Sequence, residues 1–171
     1  KITVYLKNLI ELGIIKKEFP IQTSIKTKSN NSKGEYIIND NLFNFYYKYI
    51  FPYMGEYELE KINILWQSLI KNDLHNFASK TFENVCIKYL YQLSSKNQLP
   101  SIFLNIGRWW GKTTHKTQDN KLVSTSEEID ILGIDIKNKC YILGECKFRN
   151  SEFNYTQYED LTKKISLCGD I

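Results

Sequence analysis

The chain has 171 residues, 42% of them hydrophobic and 25% charged, with a formal net charge of +4. That is the make-up of one medium globular domain or two small ones, and it excludes a chain disordered throughout. The apolar runs are too short to cross a bilayer. Four Cys without C-x-x-C spacing, beside only His75 and His115, speak against a zinc site and fit a reducing cytoplasm.

The charge is unevenly placed. Residues 1–50 carry eight Lys against four acids, which is the whole excess, while the rest of the chain carries fifteen of each sign. A basic segment of this kind suits a nucleic-acid backbone, though a solvated Lys-rich surface explains it equally well.

In chain order, Ile2, Tyr5, Leu6, Leu9 and Ile10 repeat at a helical period, and Gly13 stands where a helix C-cap belongs. "IIKKEFPI" reads as a short strand, "QTSIKTKSNNSKG" as a polar loop and "GEYIIND" as the returning strand. Helix, strand, Lys-rich loop and strand make up the second half of a winged helix-turn-helix. Residues 1–12 would then be the recognition helix, with Lys26, Lys28 and Lys33 on a wing that touches nucleic-acid backbone. A winged helix used only for packing between domains remains open. Because the chain starts inside an amphipathic helix with no leader, a piece of a longer protein is expected.

"NLFNFYYKYIFPYMG" reads as an aromatic helix stopped by Pro52, its stripe belonging to a core. The expected division is 1–52 as the partial winged helix, 53–74 as a helical connector and 75–171 as a second module. In that module "SKTFENVCIKYLYQL" has an apolar stripe through Phe82, Cys86, Tyr89, Leu90 and Leu93, with Glu83 on its edge. Then follow a strand in "PSIFLNIGRWW", a polar loop over 112–126, a strand in "EEIDILGIDIKN", a third in "KCYILGECKF", and a helix in "NYTQYEDLTKKISL". The class is α/β in the α+β sense.

The stretch "IGRWWGKTTH" imitates a phosphate loop. A Walker A loop needs four residues between its glycines; Gly107 and Gly111 enclose three, two of them Trp, and Ile106 holds the required Gly position. Indoles also hinder the anion nest that small residues permit. No nucleotide site is expected in this chain.

The chemistry lies in "EEIDI" and "GECKF". Alternation puts Glu145 and Lys147 on one strand face. A hairpin turning near Asn138 would bring Asp130 almost opposite Glu145. Two acids held together repel and raise one another's pKa. A divalent cation relieves that cost, and Mg²⁺ is content with one or two carboxylates and several waters. Such a centre activates water against phosphorus, with a Lys to steady the developing charge. Arg149 shares the Lys147 face and is placed to contact phosphate. A lone E-x-K is usually a surface ion pair; Asp130 at hairpin spacing lifts this one above that reading. Arg108 reads as structural, Cys146 as a small buried apolar residue, and Gln157 as a weak candidate for the cleft.

Asp130, then Glu145-x-Lys147, behind a helix bearing Glu83, resembles the PD-(D/E)XK nuclease superfamily. The "EID…GECK" form is similar to its branch of archaeal Holliday-junction resolvases and Mrr-type restriction nucleases. Over nearly the whole chain, "FENVC", "IGRWWG", "EIDILG" and "LGECKF", with "IFPY" before them, resemble the C-terminal region of archaeal and bacterial DEXX-box P-loop ATPases. The resemblance implies a restriction-endonuclease-like core of helix, three strands, helix and final strand; no clear final strand precedes Ile171. It implies Asp130, Glu145 and Glu83 as ligands of Mg²⁺, with Mn²⁺ as a substitute, and Lys147 as their catalytic partner. Ile129 replaces the Pro of the superfamily name, as is usual in the resolvase-like branch, and Glu128 is an additional acid. The expected function is a cytoplasmic, metal-dependent DNA endonuclease domain behind an upstream ATPase module, without membrane contact and compatible with a homo-oligomer. The rivals are a non-catalytic DNA-binding or interaction module that regulates that ATPase, and a signalling protein whose nuclease-like domain only oligomerises.

Overall fold

The computed structural model describes residues 2–21, 34–59, 61–116, 119 and 122–165. The architecture is mixed α+β, with two small sheets and several helices. It forms two compact units: one takes the chain to Phe19 and then Gly34–Thr81, the other takes Pro20, Ile21 and the chain from Phe82 onward. Among the described residues no helix is long and apolar enough to cross a membrane.

In the first unit, α1 (Ile2–Glu11) runs into the hairpin of β1 (Ile15–Glu18) and β2 (Glu35–Ile38). Gly13 ends α1 as its place in the sequence demands: its φ is +71°, and the N–H of Ile14 returns to the Leu9 carbonyl at 3.0 Å. The strands are antiparallel, from Ile15 opposite Ile38 to Glu18 opposite Glu35. The wing residues Lys26, Lys28 and Lys33 lie outside the described residues.

Asp40 caps the next helix, accepting the N–H groups of Leu42 (2.8 Å) and Phe43 (3.0 Å). That helix, α2 (Asn41–Phe45), widens into a π-turn at Tyr46–Ile50, tightens to a 3₁₀ turn at Phe51–Tyr53 and resumes as α3 (Met54–Glu58). Pro52 therefore does not stop the helical path, contrary to the sequence reading. It sits at the start of the 3₁₀ turn, where its missing N–H is not needed. Tyr49 is buried, as the aromatic stripe suggested, with its ring against Phe45 (5.0 Å between centroids) and Phe77 (5.6 Å). Its hydroxyl donates to Asp73 at 2.8 Å, and Lys48 reaches the same carboxylate oxygen at 2.5 Å. A further helix, α4 (Ile62–Leu65), leads through a π-turn to α5 (Lys71–Ser95), and the boundary between the units falls within α5.

In the second unit, α5 is followed by the antiparallel sheet β3 (Asn105–Lys116), β4 (Leu122–Asp135) and β5 (Cys140–Gly144), and then α6 (Tyr155–Ile165). Helix, three strands and helix is the order expected from the sequence. Residues 112–116 and 122–126, part of the stretch 112–126 expected as a polar loop, instead prolong both strands: the β3–β4 ladder continues to Lys116 opposite Leu122. Thr113, Thr114, Thr125 and Val123 are β-branched, and such residues favour strands whatever their polarity.

The core has two faces. Trp109, Ile129, Leu132 and Ile134 form one cluster; Phe103, Ile106 and Ile131 form the other, against Cys86, Ile87 and Leu90 of α5. Strict alternation would have put Ile129 and Ile131 together. They are parted by a bulge: Gly107 faces Leu132 and Trp109 faces Ile129, so Asp130 and Ile131 together oppose Arg108. Helix α5 is pinned to the start of β3 by Tyr91, whose hydroxyl takes the Ile106 N–H (2.8 Å) and serves its carbonyl (2.9 Å). Ser94 does the same for Phe103, at 2.8 Å and 3.3 Å.

Candidate functional site

The site is assembled where β5 ends. Ile131 is paired with Gly144, so Asp130 and Glu145 are the next residues of that register, as the spacing about Asn138 implied. The ladder does not reach them. Glu145 and Lys147 lie just past β5 rather than on it, which corrects the strand reading of "GECKF". The physical reason is local: the N–H of Cys146 goes to the Asp130 carboxylate, at 2.7 Å, and not to a strand neighbour. Glu145 and Lys147 still meet, with the ammonium 2.5 Å from Oε1.

Asp130 sits in the bulge, a device that re-aims a side chain at the edge of a ladder. Burial pushes its carboxyl above the usual carboxylate range; the Cys146 N–H opposes that, while the charge of Glu145 adds to it and that of Lys147 offsets it. Asp130 thus feels the charge of Glu145. Cys146 itself is held inert: burial, then its contact with Cys86, pushes its thiol up to about 12.

The other acids are neutralised by Arg108. Its guanidinium grips Glu128 and lies 3.8 Å from the Glu83 carboxylate on α5. It also covers the Trp110 ring, 5.4 Å from the centroid, while Trp109 is buried in the core. Arg108 and Glu83 are both largely shielded from solvent.

Helix α6 closes the site with a residue that the sequence reading did not single out. Lys164 donates to the Glu128 carbonyl (2.8 Å) and to Oε2 of Glu145 (3.3 Å). Its only sequence signal is its place in the last turn of an amphipathic helix. Arg149 points to α6 as well, donating to Gln157 at 2.6 Å, and Gln157 also accepts the Asn154 N–H at 3.0 Å. Two hollows share Glu145 and Lys147 as a common wall. One, of about 710 Å³, is lined further by Glu127, Gln157, Lys163 and Lys164; the other, of about 580 Å³, by Phe82, Cys86, Ile131 and Cys146.

Among the described residues no three His, Cys, Asp or Glu side chains form a metal-binding group. The fit to a divalent ion therefore rests on two carboxylates. A hard cation with one or two carboxylates and its own waters suits Asp130 and Glu145, and it would favour the ionised form that burial, and then the charge of Glu145, disfavour at Asp130.

The chain is 35% identical over 170 residues to an uncharacterized protein of Methanocaldococcus jannaschii, covering 98% of this chain and 34% of that protein. It is 29% identical over 100 residues to a tRNA dimethylallyltransferase of Finegoldia magna, covering 53% of this chain and 32% of that enzyme. The chain thus spans about a third of the length of these curated relatives. No solved structure matches it. The family match, over residues 46–162, runs from the π-turn at Tyr46 into α6 and takes in Glu83, Asp130, Glu145 and Lys147; the chain belongs to the family DUF234, described as archaea bacterial proteins of unknown function.

Proposed function

We propose that the second unit is a metal-dependent nuclease domain of the PD-(D/E)XK type, hydrolysing phosphodiester bonds in DNA. The observation that carries this reading is the meeting of Asp130, Glu145 and Lys147 at one end of a three-strand sheet flanked by helices. In it Asp130 and Glu145 hold Mg²⁺ or Mn²⁺. The metal, when bound, supplies water activation and neutralises charge at phosphorus. Lys147, tied to Glu145, is placed to steady the pentavalent phosphate or the attacking water. Glu83 is engaged by Arg108 and adds a ligand only where that ion pair opens.

In the same reading the first unit, with helix, strand and returning strand, is part of a winged helix that binds DNA. In that reading the upstream partner is a P-loop ATPase module of a longer, cytoplasmic protein. The test is cleavage of supercoiled, branched and linear DNA in Mg²⁺ by the wild type, Asp130→Ala and Glu145→Ala. The reading expects cleavage lost in both variants. Cleavage that survives both substitutions sinks it. DNA binding without cleavage of any substrate favours the regulatory module instead.

A further inference from the structure

We propose that Lys164 is a phosphate-binding residue, and that the hollow beside α6 receives the backbone of a polynucleotide strand. This deepens the nuclease reading above and rests on it for the identity of the substrate. The argument begins with the charge around one carboxylate. Glu145 carries a single negative charge, yet an ammonium stands at each of its oxygens: Lys147 at Oε1, 2.5 Å away, and Lys164 at Oε2, 3.3 Å away. One cation is enough to neutralise it. The second ammonium comes from a separate helix and is three-quarters shielded from solvent, with 23% of its side chain exposed. Shielding an ammonium costs free energy unless a partner repays it. Lys164 has a shorter, firmer contact to the Glu128 carbonyl, at 2.8 Å, which anchors it. Its longer contact to Glu145 is the one it gives up.

The hollow of about 710 Å³ supplies the other half. Its walls bring Lys147, Lys163 and Lys164 together with the Gln157 amide and the acids Glu127, Glu145 and Asp160; Asp160 takes Lys163, at 3.1 Å, which leaves Lys164 as the ammonium beside Glu145 that an entering phosphate can draw away. Point-charge ammonium groups and an amide are the partners of a non-bridging phosphate oxygen, where geometry need not be bidentate. A phosphodiester entering there takes Lys164 from Glu145 and leaves that carboxylate to Lys147. Substrate binding and the release of Oε2 of Glu145 from Lys164 are then one event.

The measurement is anisotropy titration of labelled duplex and single-stranded oligonucleotides with chelator present, at several salt concentrations. The proteins are the whole chain as wild type, Lys164→Met, Lys164→Arg and Lys137→Met. The last removes an equal charge from the β4–β5 turn. For Lys164→Met, the slope of log affinity against log salt should become shallower by about 0.9 on duplex, or about 0.7 on single strands, the value of one phosphate contact. Lys164→Arg should restore it, and Lys137→Met should leave it unchanged. Unfolding midpoints accompany each titration, and Lys164→Gln, which keeps a donor for the Glu128 carbonyl, serves where Lys164→Met does not fold. A wild-type slope in Lys164→Met, or an equal loss in Lys137→Met, overturns the proposal. The two readings separate cleanly. Cleavage in Mg²⁺ with a slope indifferent to Lys164 removes this inference alone. A Lys164-dependent slope without cleavage removes the nuclease reading and keeps this one. Wild type that binds neither oligonucleotide removes both.

Discussion

Asp130 and Cys146 are joined across the end of the sheet, the carboxylate of one accepting the backbone N–H of the other at 2.7 Å. The bond holds the chain after β5 against β4, but burial makes the ionised acid costly. Because the folded-state pKa of Asp130 lies above its unfolded value, ionisation weighs against folding at neutral pH. That cost disappears as pH falls through the folded pKa. Asp130→Asn keeps an acceptor for Cys146 and removes the charge. Thermal unfolding in chelator should give the variant a higher midpoint than wild type near pH 7, with the advantage shrinking towards pH 4. A lower midpoint at pH 7 would show that the carboxylate is a net stabiliser.

Arg108 holds Glu83 and Glu128 at once. Its removal strands two acids, one of them well shielded. Breaking a buried pair costs about 3–5 kcal/mol, and the exposure of Glu128 sets the expected loss for Arg108→Met at about 3 kcal/mol or somewhat less. Urea unfolding measures it. Adding Glu83→Gln to Arg108→Met should recover part of the loss; strict additivity would deny the coupling.

Leu132 is fully buried in the cluster with Trp109, Ile129 and Ile134. Leu132→Ala should cost about 2–5 kcal/mol, the combined price of lost transfer and a residual cavity. The urea midpoint should fall with an unchanged m-value. Tyr5, which is exposed on α1, should tolerate Ala within about 0.5 kcal/mol.

In the first unit, the Lys48 ammonium, then the Tyr49 hydroxyl and the Asn76 amide, lower the Asp73 carboxyl to about 2. A depressed folded-state pKa gives stability that is whole above the unfolded value and fades as pH falls from there towards 2. Asp73→Asn should flatten the acid limb of stability between about pH 4 and pH 2, seen by urea midpoints at successive pH values. An unchanged limb would assign acid unfolding to other carboxylates.

Much of the fold was readable because its signals are local. The period of α1, the turn at Gly13 and the strands at Ile15–Glu18 and Glu35–Ile38 fall where apolar spacing and turn residues put them. Asp130 and Glu145 were legible as neighbours because they stand almost equally far from the turn near Asn138. What escaped depends on contacts that sequence spacing does not encode. Pro52 looked like a stop because a sequence pattern cannot show that a 3₁₀ turn would absorb it. The polar run 112–126 hid two strands because polarity was read before β-branching. The bulge at Asp130 and Ile131 breaks the alternation of β4, and residue spacing does not mark where a ladder takes in an extra residue. Lys164 is a tertiary partner of Glu145, nineteen residues away, and nothing local marks it.

Before Ile131, β4 has β3 on one side and no β5 on the other, since the β4–β5 pairing covers only Ile131–Asp135. The site therefore stands on a seam between a three-strand slab and a two-strand ribbon. Sheets of two strands are weakly held, and proteins open piecemeal from such parts. Amide hydrogens of residues 132–134 should exchange with solvent last, and those of 122–128 early, with the step falling at Asp130. Opening the ribbon as far as Glu128 would then release the Arg108–Glu128 pair beside the acids while the core clusters around Leu132 and Phe103 stay intact, so that the order of the candidate site and the fold can be lost at different temperatures.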